Sequence, residues 1–326
     1  MDFFSKIPVM DRTALRELKK GIDLSFKDFS RAYGDGIESF FDPLLYFLIW
    51  LEKLLVNSPW PIVIGVFALL AWFGSRSIKL VIGTVVCFIV IGYFGMWKNC
   101  MATVAIISVS TLVCIVVGIP IGVLMSKSSR AEKAILPVLD MMQTIPSFCY
   151  LIPGIMLFGL GAVPAIIATV IYAIPPLVRL TDLGIRLEDI EVIEAAEAFG
   201  ASRRQKLLGV QLPLALPNIM QGINQCTMMA LAMVVIASMI GTRGLGDEVL
   251  LGLQQLNVGK ATEAGLAIVL LAIVLDRITQ AYGEKIQDRN KPLDKFNEKA
   301  KMKKAAKKQV TKESTKDEME ATVKTN

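Results

Sequence analysis

The polar stretch 182–216 contains the clearest ordered pattern of residue types in this chain. The pattern consists of Glu194, Ala195, Ala196, Gly200, Val210, Leu212 and Pro213. Alanine and glutamate favour helices, whereas glycine commonly ends them. The stretch therefore predicts helical segments over 182–187 and 192–199, and a further helix over about 202–209 that ends before Leu212. Two short helices that meet at Gly200 would form a projecting knob, which suits docking to a protein better than it suits bond-making chemistry.

The residue inventory argues against catalysis within this chain. There is no histidine, so the commonest general base and metal ligand is absent. The five cysteines include no CxxC pair, and we expect them to serve as small apolar residues rather than as a metal site. The phosphate-binding pattern GxxxxGK[ST] is also missing, so we do not expect this chain to be an ATPase of that type. A membrane enzyme would need a nucleophile and a base, and no such set is visible.

Long apolar runs predict an all-α membrane protein. Apolar residues make up 54% of the 326 residues, and the mean hydropathy is +0.55. About 20 apolar residues cross the hydrocarbon core of a bilayer as a helix. Seven spans are predicted, at about 59–74, 78–96, 101–125, 134–158, 162–178, 217–240 and 263–282. Segment 43–56 is short and carries Glu52 and Lys53, which favours an amphipathic helix at the interface, although a further span is the alternative.

The basic residues of the loops predict the orientation. One alternate set of loops contains ten lysines and arginines, whereas the other set contains three. Because basic loops stay in the cytoplasm, stretch 182–216 should be cytoplasmic and the N-terminus outside. The net charge of +6 is then explained by membrane topology rather than by nucleic-acid binding. The lysine-rich tail, 284–326, falls on the cytoplasmic side, where we expect it to be disordered, either solvated or touching anionic lipid.

Several residues within the apolar runs are candidates for a pathway or a gate. A carboxylate in an apolar run is costly, so Asp140 is either functional, a helix cap or a partner of Lys133. Asp276 and Arg277 are expected to be a paired or interfacial couple at the inner membrane face rather than a proton relay. Aromatic rings bind cations, and they also serve as packing or belt residues. The aromatic pathway candidates are Phe148, Tyr150, Phe158 and Tyr172, and the candidates for an outer gate, or for a plain loop, are Gly241, Gly244 and Gly246.

The pattern at 194–213 resembles the EAA loop of binding-protein-dependent ABC importer permeases, with Val210 where that family favours isoleucine. The surrounding sequence looks like the glycine betaine/proline transporter permeases over about 98–283. The stretches that carry this second resemblance are PVLDMMQTIP at 137–146, YLIP at 150–153, IPPLVRLT at 174–181, VVIASMIG at 234–241, GLG at 244–246 and EAGLAIVLLAIVLDR at 263–277.

The resemblance implies the fold, partners and location of a type I ABC importer in the bacterial cytoplasmic (inner) membrane. Two copies of the permease would form the pathway, an extracytoplasmic solute-binding protein would deliver the substrate, and membrane lipid would surround the chain. ATP and Mg²⁺ would bind the cytoplasmic ATPase subunit, with no cofactor on this chain. The residues that the resemblance assigns to ATPase coupling are Glu194, Ala195, Ala196, Gly200, Leu212 and Pro213.

Four regions follow from the patterns and the resemblance together. They are an extracytoplasmic N-terminal region with the interfacial helix, 1–58; two membrane helices, 59–97; the permease domain, 98–283; and the cytoplasmic tail, 284–326. The implied substrate is glycine betaine or a related compatible solute. The alternatives are an ABC permease for an amino acid and an ion-coupled secondary transporter, which would require buried ionisable relays or inverted repeats.

Overall fold

The computed structural model describes residues 10–188, 190–238 and 241–286, and all regular secondary structure within these ranges is helical. This confirms the all-α prediction. The helices are α1 (Arg12–Asn57), α2 (Trp60–Ser75), α3 (Ile78–Tyr93), α4 (Trp97–Lys127), α5 (Ser129–Thr144), α6 (Phe148–Phe158), α7 (Ala162–Arg186), α8 (Ile190–Ala198), α9 (Arg203–Lys206), α10 (Leu212–Ala237), α11 (Leu245–Gln254) and α12 (Val258–Ile286). A π-helical turn, Leu207–Gln211, joins α9 directly to α10.

Helix α7 forms the centre of the packed core, between α4 and α10. Glycines bring the backbones close together on both sides. A Cβ atom on Gly122 of α4 would lie 2.6 Å from the Cβ of Thr181, and one on Gly222 of α10 would lie 3.1 Å from the Cα of Leu177. Small residues permit such close approach between membrane helices, where apolar side chains gain little by leaving lipid. The core therefore depends on close backbone packing around α7.

Four helices of the described chain, α4, α7, α12 and the continuous unit Arg203–Ala237, are long and apolar enough to cross a membrane. Two bent pairs raise the number to six, and α3 is a shorter apolar helix of 16 residues. The predicted single span 134–158 is one of these bent pairs, because α5 and α6 meet at 95°. Ile145 adopts extended backbone angles, φ −68° and ψ 129°, as is usual for a residue before proline. Pro146 thus breaks the apolar run 134–158, which hydropathy alone predicts to be one continuous helix.

Helices of the core extend beyond the predicted spans. Helix α7 continues past residue 178 to Arg186, so the first five residues of the stretch 182–216 belong to this long helix. The prediction that the helix over 202–209 ends before Leu212 is wrong. The N–H of Leu212 donates to the carbonyl of Leu207 instead, which closes a wider π turn. Pro213 then occupies the first turn of α10, where its missing N–H does not interrupt the helix.

The predicted amphipathic helix 43–56 is the final part of α1, which is 46 residues long. The section of α1 from Gly36 to Asn57 meets α2 at 109°, and it is tied to α6 by an edge-to-face contact between Phe41 and Phe158 with ring centroids 5.7 Å apart. A helix at this angle to α2 is oriented as an interfacial helix would be, and its placement in the membrane stays a prediction. Residues 284–286 complete α12, while the rest of the predicted tail lies outside the described residues.

The helix ends fall into two groups. At the inner end, Lys285 at the close of α12 donates from Nζ to the carbonyl of Phe73 at the close of α2, 2.8 Å away. At the opposite, outer end, Glu248 of α11 accepts from Asn99 of α4 at 2.8 Å and pairs with Lys260 of α12 at 3.0 Å. The inner end is the end that carries the knob formed by α8 and α9, and its cytoplasmic orientation stays a prediction from the basic loops.

Candidate functional site

The knob consists of α8 and α9, which are joined at Gly200. The N–H of Gly200 donates to Glu197 at 2.9 Å, and the N–H of Ala201 donates to Ala196 at 3.1 Å. These two bonds form a Schellman motif, in which the residue after the helix takes left-handed angles. Gly200 has φ +77°, a conformation that glycine adopts without the penalty that a Cβ atom brings. The glycine of the sequence pattern therefore sets the angle between the two helices.

The second helix of the knob starts with a capping box. Gln205 donates its backbone N–H to the Ser202 hydroxyl, and the Gln205 side chain accepts from the N–H of Ser202 at 2.9 Å. A hydrogen bond and ion pair between Lys206 and Glu197 then tie α9 to α8. That bond holds the pKa of the Glu197 carboxyl below its usual range. Local bonds thus make the knob a rigid unit even though none of its α8 residues is fully buried.

The predicted coupling residues divide into an exposed set and a set at the root of the knob. Glu194, Ala195 and Gly200 are exposed, and Ala196 is half-buried. Leu212 and Pro213 are half-buried at the start of α10. The structure therefore brings the first four together on the knob and places the last two where the knob enters the membrane core.

Apolar side chains on and beside the knob are exposed, and the pattern analysis missed them. The exposed fraction is 93% for Phe199, 69% for Leu187, 68% for Ile190 and 63% for Leu208. Large apolar side chains that are exposed outside the membrane core are candidates for burial against a partner. A sequence signal was available for one of them, because Phe199 is a large ring placed immediately before the glycine that ends a helix. We call Leu187, Ile190, Phe199 and Leu208 the apolar rim.

Arg186, at the end of α7, anchors the knob to the core. Its guanidinium lies 2.8 Å from both Asp182 on α7 and Glu132 on α5, and it donates to the carbonyl of Met125 at 2.6 Å. Charge-assisted bonds to two carboxylates and a carbonyl fix this side chain in one position. The side chain that immediately precedes the knob therefore links α7 to α4 and α5.

Glu188 lies directly after α7 and faces the π turn. Among the described residues, neither of its buried carboxylate oxygens has a hydrogen bond of normal geometry. Burial raises the pKa of Glu188 to about 7, and the nearby Gln211 amide offsets only part of this shift. A π turn widens the helix locally and is frequent at functional sites. An ionisable group that titrates near neutral pH is therefore packed against the irregular part of the knob.

The candidate pathway residues occupy different environments. Asp140 pairs with Arg179 of α7, so the alternative in which it pairs with Lys133 is wrong. The hydroxyl of Tyr150 donates to the carbonyl of Met142 at 2.7 Å, which fastens the α5–α6 bend. Tyr172 packs against a small apolar cluster, while Phe148 is 53% exposed. With Phe158 engaged by Phe41, Phe148 is the aromatic candidate with the most accessible ring.

Asp276 and Arg277, which were predicted to be paired or interfacial, do not pair with each other. Asp276 accepts from Asn224 of α10 at 3.1 Å and from Gln280 at 2.8 Å, so its carboxylate faces the core. Arg277 is exposed on the other side of α12. The side chains of adjacent helical residues point about 100° apart, so Asp276 and Arg277 lie on different faces of α12 and meet different surroundings.

The three outer glycines lie in the segment before α11 and in its first turn, and two of them pack closely against neighbouring residues. A Cβ atom on Gly244 would lie 2.8 Å from the Thr103 hydroxyl, and one on Gly246 would lie 2.3 Å from the hydroxyl of Ser238. Gly241 turns the chain with φ +89°. These contacts explain why glycine is needed, and a gating role for this segment stays a prediction. Among the described residues, no three histidine, cysteine, aspartate or glutamate side chains are grouped to hold a metal.

Comparison with known proteins found a matching family and several relatives of this chain. The family described as binding-protein-dependent transport system inner membrane component matches residues 115–288. The glycine betaine/proline betaine transport system permease protein ProW of Escherichia coli (strain K12) is 50% identical over 247 residues, covering 76% of this chain and 70% of that protein. The glycine betaine transport system permease protein OpuAB of Bacillus subtilis (strain 168) is 41% identical over 281 residues, covering 86% of this chain and 96% of that protein.

A solved structure of the MetNI methionine ABC transporter in an inward-facing conformation has the same fold. Its TM-score is 0.52 at 23% identity, and the match covers 59% of this chain and 95% of that chain. The family match extends from α4 to the end of α12 and includes the whole knob. The chain therefore belongs to the family of binding-protein-dependent transport system inner membrane components, the membrane subunits of ABC importers.

Proposed function

We propose that this chain forms the pathway by which glycine betaine, or a related quaternary-ammonium zwitterion, enters the cell. The proposed substrate rests on the 50% identity to a glycine betaine/proline betaine permease over 247 residues. The same substrate class is named for the relative in Bacillus subtilis, which is matched over 96% of its length. No phosphate-binding motif occurs in this chain, which fits hydrolysis of ATP by a separate subunit.

In the proposed mechanism, the knob is the contact with the ATPase. Glu194, Ala195, Ala196 and Gly200 supply a shallow surface, and the apolar rim adds area that an interface would remove from water. Closure of the ATPase dimer on ATP moves the knob as a rigid body. Arg186 passes that movement to the core, since it links α7 to α4 and α5. The cavity between the helices then closes on one side of the membrane and opens on the other.

Two copies of the chain enclose the pathway in this proposal. Phe148 offers an accessible ring to the trimethylammonium group of the substrate, because such cations are attracted to aromatic faces. Asp140 on α5 and Arg179 on α7 neutralise each other nearby, which ties these two helices together. Gly241, Gly244 and Gly246 support the outer side, where a solute-binding protein would release its ligand.

Reconstitution of transport tests this function. The chain is placed in liposomes with the ATPase and the solute-binding protein encoded beside it, and ATP-dependent uptake of labelled glycine betaine is measured. We expect uptake that requires all three proteins and that disappears with a hydrolysis-deficient ATPase. Uptake without the ATPase would contradict coupling through the knob. Uptake of methionine or histidine in place of betaine would contradict the substrate and leave the coupling intact.

A further inference from the structure

A basic cavity lies at the inner end of the helices, away from the knob. Its volume is about 700 Å³, and it is enclosed by the turn between α2 and α3 and by the last turns of α12. Three cationic side chains, Arg76, Arg277 and Lys285, line it, together with the Glu284 carboxylate and the serines at 75 and 77. The charged lining groups carry a net charge of +2, so the cavity favours an anion.

The two arginines of this cavity are available to a ligand. Among the described residues, neither Arg76 nor Arg277 forms an ion pair, and both side chains are exposed. Arg179 and Arg186, in contrast, are each paired with carboxylates. The third cation, Lys285, bonds the carbonyl of Phe73 and closes the cavity wall. Guanidinium groups bind phosphate through two parallel hydrogen bonds, which makes phosphate the anion that fits best.

The backbone at Arg76 is a second, independent observation. Arg76 has φ 50° and ψ 19°, and its N–H donates to the carbonyl of Trp72 at 2.9 Å, so it ends α2 in the left-handed conformation. That position favours glycine, and an arginine there is held in an unfavourable conformation. The turn nevertheless directs a long cationic side chain into the cavity. The left-handed backbone alone would disfavour an arginine at position 76.

Apolar side chains beside the cavity identify the source of the phosphate. Trp72 and Phe73 on α2 and Ile78 on α3 are 45%, 60% and 64% exposed, and they adjoin the turn that carries Arg76. In a membrane protein this exposed surface faces acyl chains. The inner leaflet of a cell membrane is rich in anionic headgroups, and basic pockets between helices on this side bind them. We propose that the cavity binds the phosphate of an anionic phospholipid whose chains lie against α2 and α3.

Lipid titration of the full-length chain tests this proposal. The protein is placed in phosphatidylethanolamine nanodiscs, and thermal stabilisation is followed as phosphatidylglycerol is added. Each charge near a membrane surface contributes about fivefold to lipid affinity. We therefore expect Arg76→Gly and Arg277→Gln each to weaken the phosphatidylglycerol affinity about fivefold, and the double variant more. Arg130→Gln is the matched control, because Arg130 is exposed at the inner end of α5 and lies outside the cavity.

The choice of variants separates lipid binding from folding. Arg76→Gly relieves the left-handed backbone and removes one charge, so it should fold at least as well as the parent chain while binding the anionic lipid less well. Arg277→Gln lies within a helix and gives the same test without any change in backbone strain. Affinities equal to that of Arg130→Gln would overturn the proposal. Equal stabilisation by inorganic phosphate would also overturn it, since the cavity would then serve a soluble anion.

Discussion

Arg186 at the end of α7 lies 2.8 Å from Glu132 in the first turn of α5, measured from Nη2 to Oε2. The same guanidinium bonds the last turn of α4 through the carbonyl of Met125 at 2.6 Å. Three core helices therefore meet at one side chain just before the knob begins. Because the side chain is 31% exposed, water screens its ion pairs, and its bond to a buried carbonyl is the stronger contribution.

Replacing Arg186 with glutamine should lower stability and coupling together. We expect a loss of about 1–3 kcal/mol in the free energy of unfolding, because the carbonyl and two carboxylates lose a charged partner. Thermal unfolding in detergent and betaine-stimulated ATPase activity measure the two effects. The control is Lys27→Gln, which breaks an exposed i,i+4 pair with Asp23 on α1 and should change stability by less than about 0.5 kcal/mol. Normal coupling in the Arg186 variant would show that the knob acts without this anchor.

Substitution of Gly200 separates charge from backbone conformation. No atom lies within 4 Å of a Cβ built at this position, so a side chain meets strain from φ +77° rather than a clash. Asparagine and aspartate tolerate left-handed angles better than other residues do, and they have the same shape. We expect both variants to fold and insert. Gly200→Asp should abolish ATPase association by placing a charge in the docking surface, whereas Gly200→Asn should retain part of it.

Co-purification of the tagged permease with the ATPase measures that difference. Full coupling in Gly200→Asp would exclude Gly200 from the interface. Equal loss in both variants would show that the interface requires the absence of any side chain, independent of charge.

Phe199 should contribute to partner binding and contribute little to folding. Its ring is 93% exposed, so Phe199→Ala removes almost no buried area and should change the unfolding free energy by less than about 0.5 kcal/mol. Aromatic anchors at interfaces contribute about 2 kcal/mol or more, which corresponds to roughly 30-fold in affinity. Titration of the permease with the purified ATPase gives the dissociation constant. Leu160→Ala is the control, since Leu160 is 72% exposed at the outer end. An unchanged dissociation constant would remove Phe199 from the docking surface.

The knob could be predicted from sequence because its determinants are local. Alanine and glutamate favour the helix, and Gly200 accepts the angles that stop it, so the prediction needs only neighbours within a few residues. The exposed ring of Phe199 was missed, because helical patterns describe which side faces a core and not which surface a partner covers. Apolar runs likewise predicted the membrane helices without revealing the 95° bend at Pro146.

Side-chain partners were the least predictable feature. One alternative for Asp140 was a pair with Lys133, seven residues away on the same helix, yet Asp140 pairs with Arg179 on another element. Asp276 similarly bonds Asn224, which is 52 residues distant in sequence, rather than the adjacent Arg277. Such pairs depend on how α5, α7, α10 and α12 are positioned in space. A single sequence contains no local signal for that arrangement.

Glu188 should make the stability of the knob depend on pH. Burial raises the pKa of its carboxyl from the ordinary 4.5 to about 7, so between these values the folded chain retains a proton that the unfolded chain has lost. Stability therefore falls as pH rises from about 4.5 to 7 and levels off above the folded pKa. In Glu188→Gln this slope should disappear, and at pH 8 the variant should be more stable than the parent chain by about 1 kcal/mol, because water screens part of the charge on this half-buried carboxylate.

Melting temperatures between pH 5 and pH 8.5 measure the effect of Glu188. The matched control is Glu194→Gln, which removes an exposed carboxylate from the same knob and should leave the profile of the parent chain unchanged. Parallel profiles for the parent chain and Glu188→Gln would show that the Glu188 carboxylate is solvated in the folded state. If the slope is lost only in Glu188→Gln, the charge that forms near neutral pH acts on the π turn at Leu207–Gln211, where the knob joins α10.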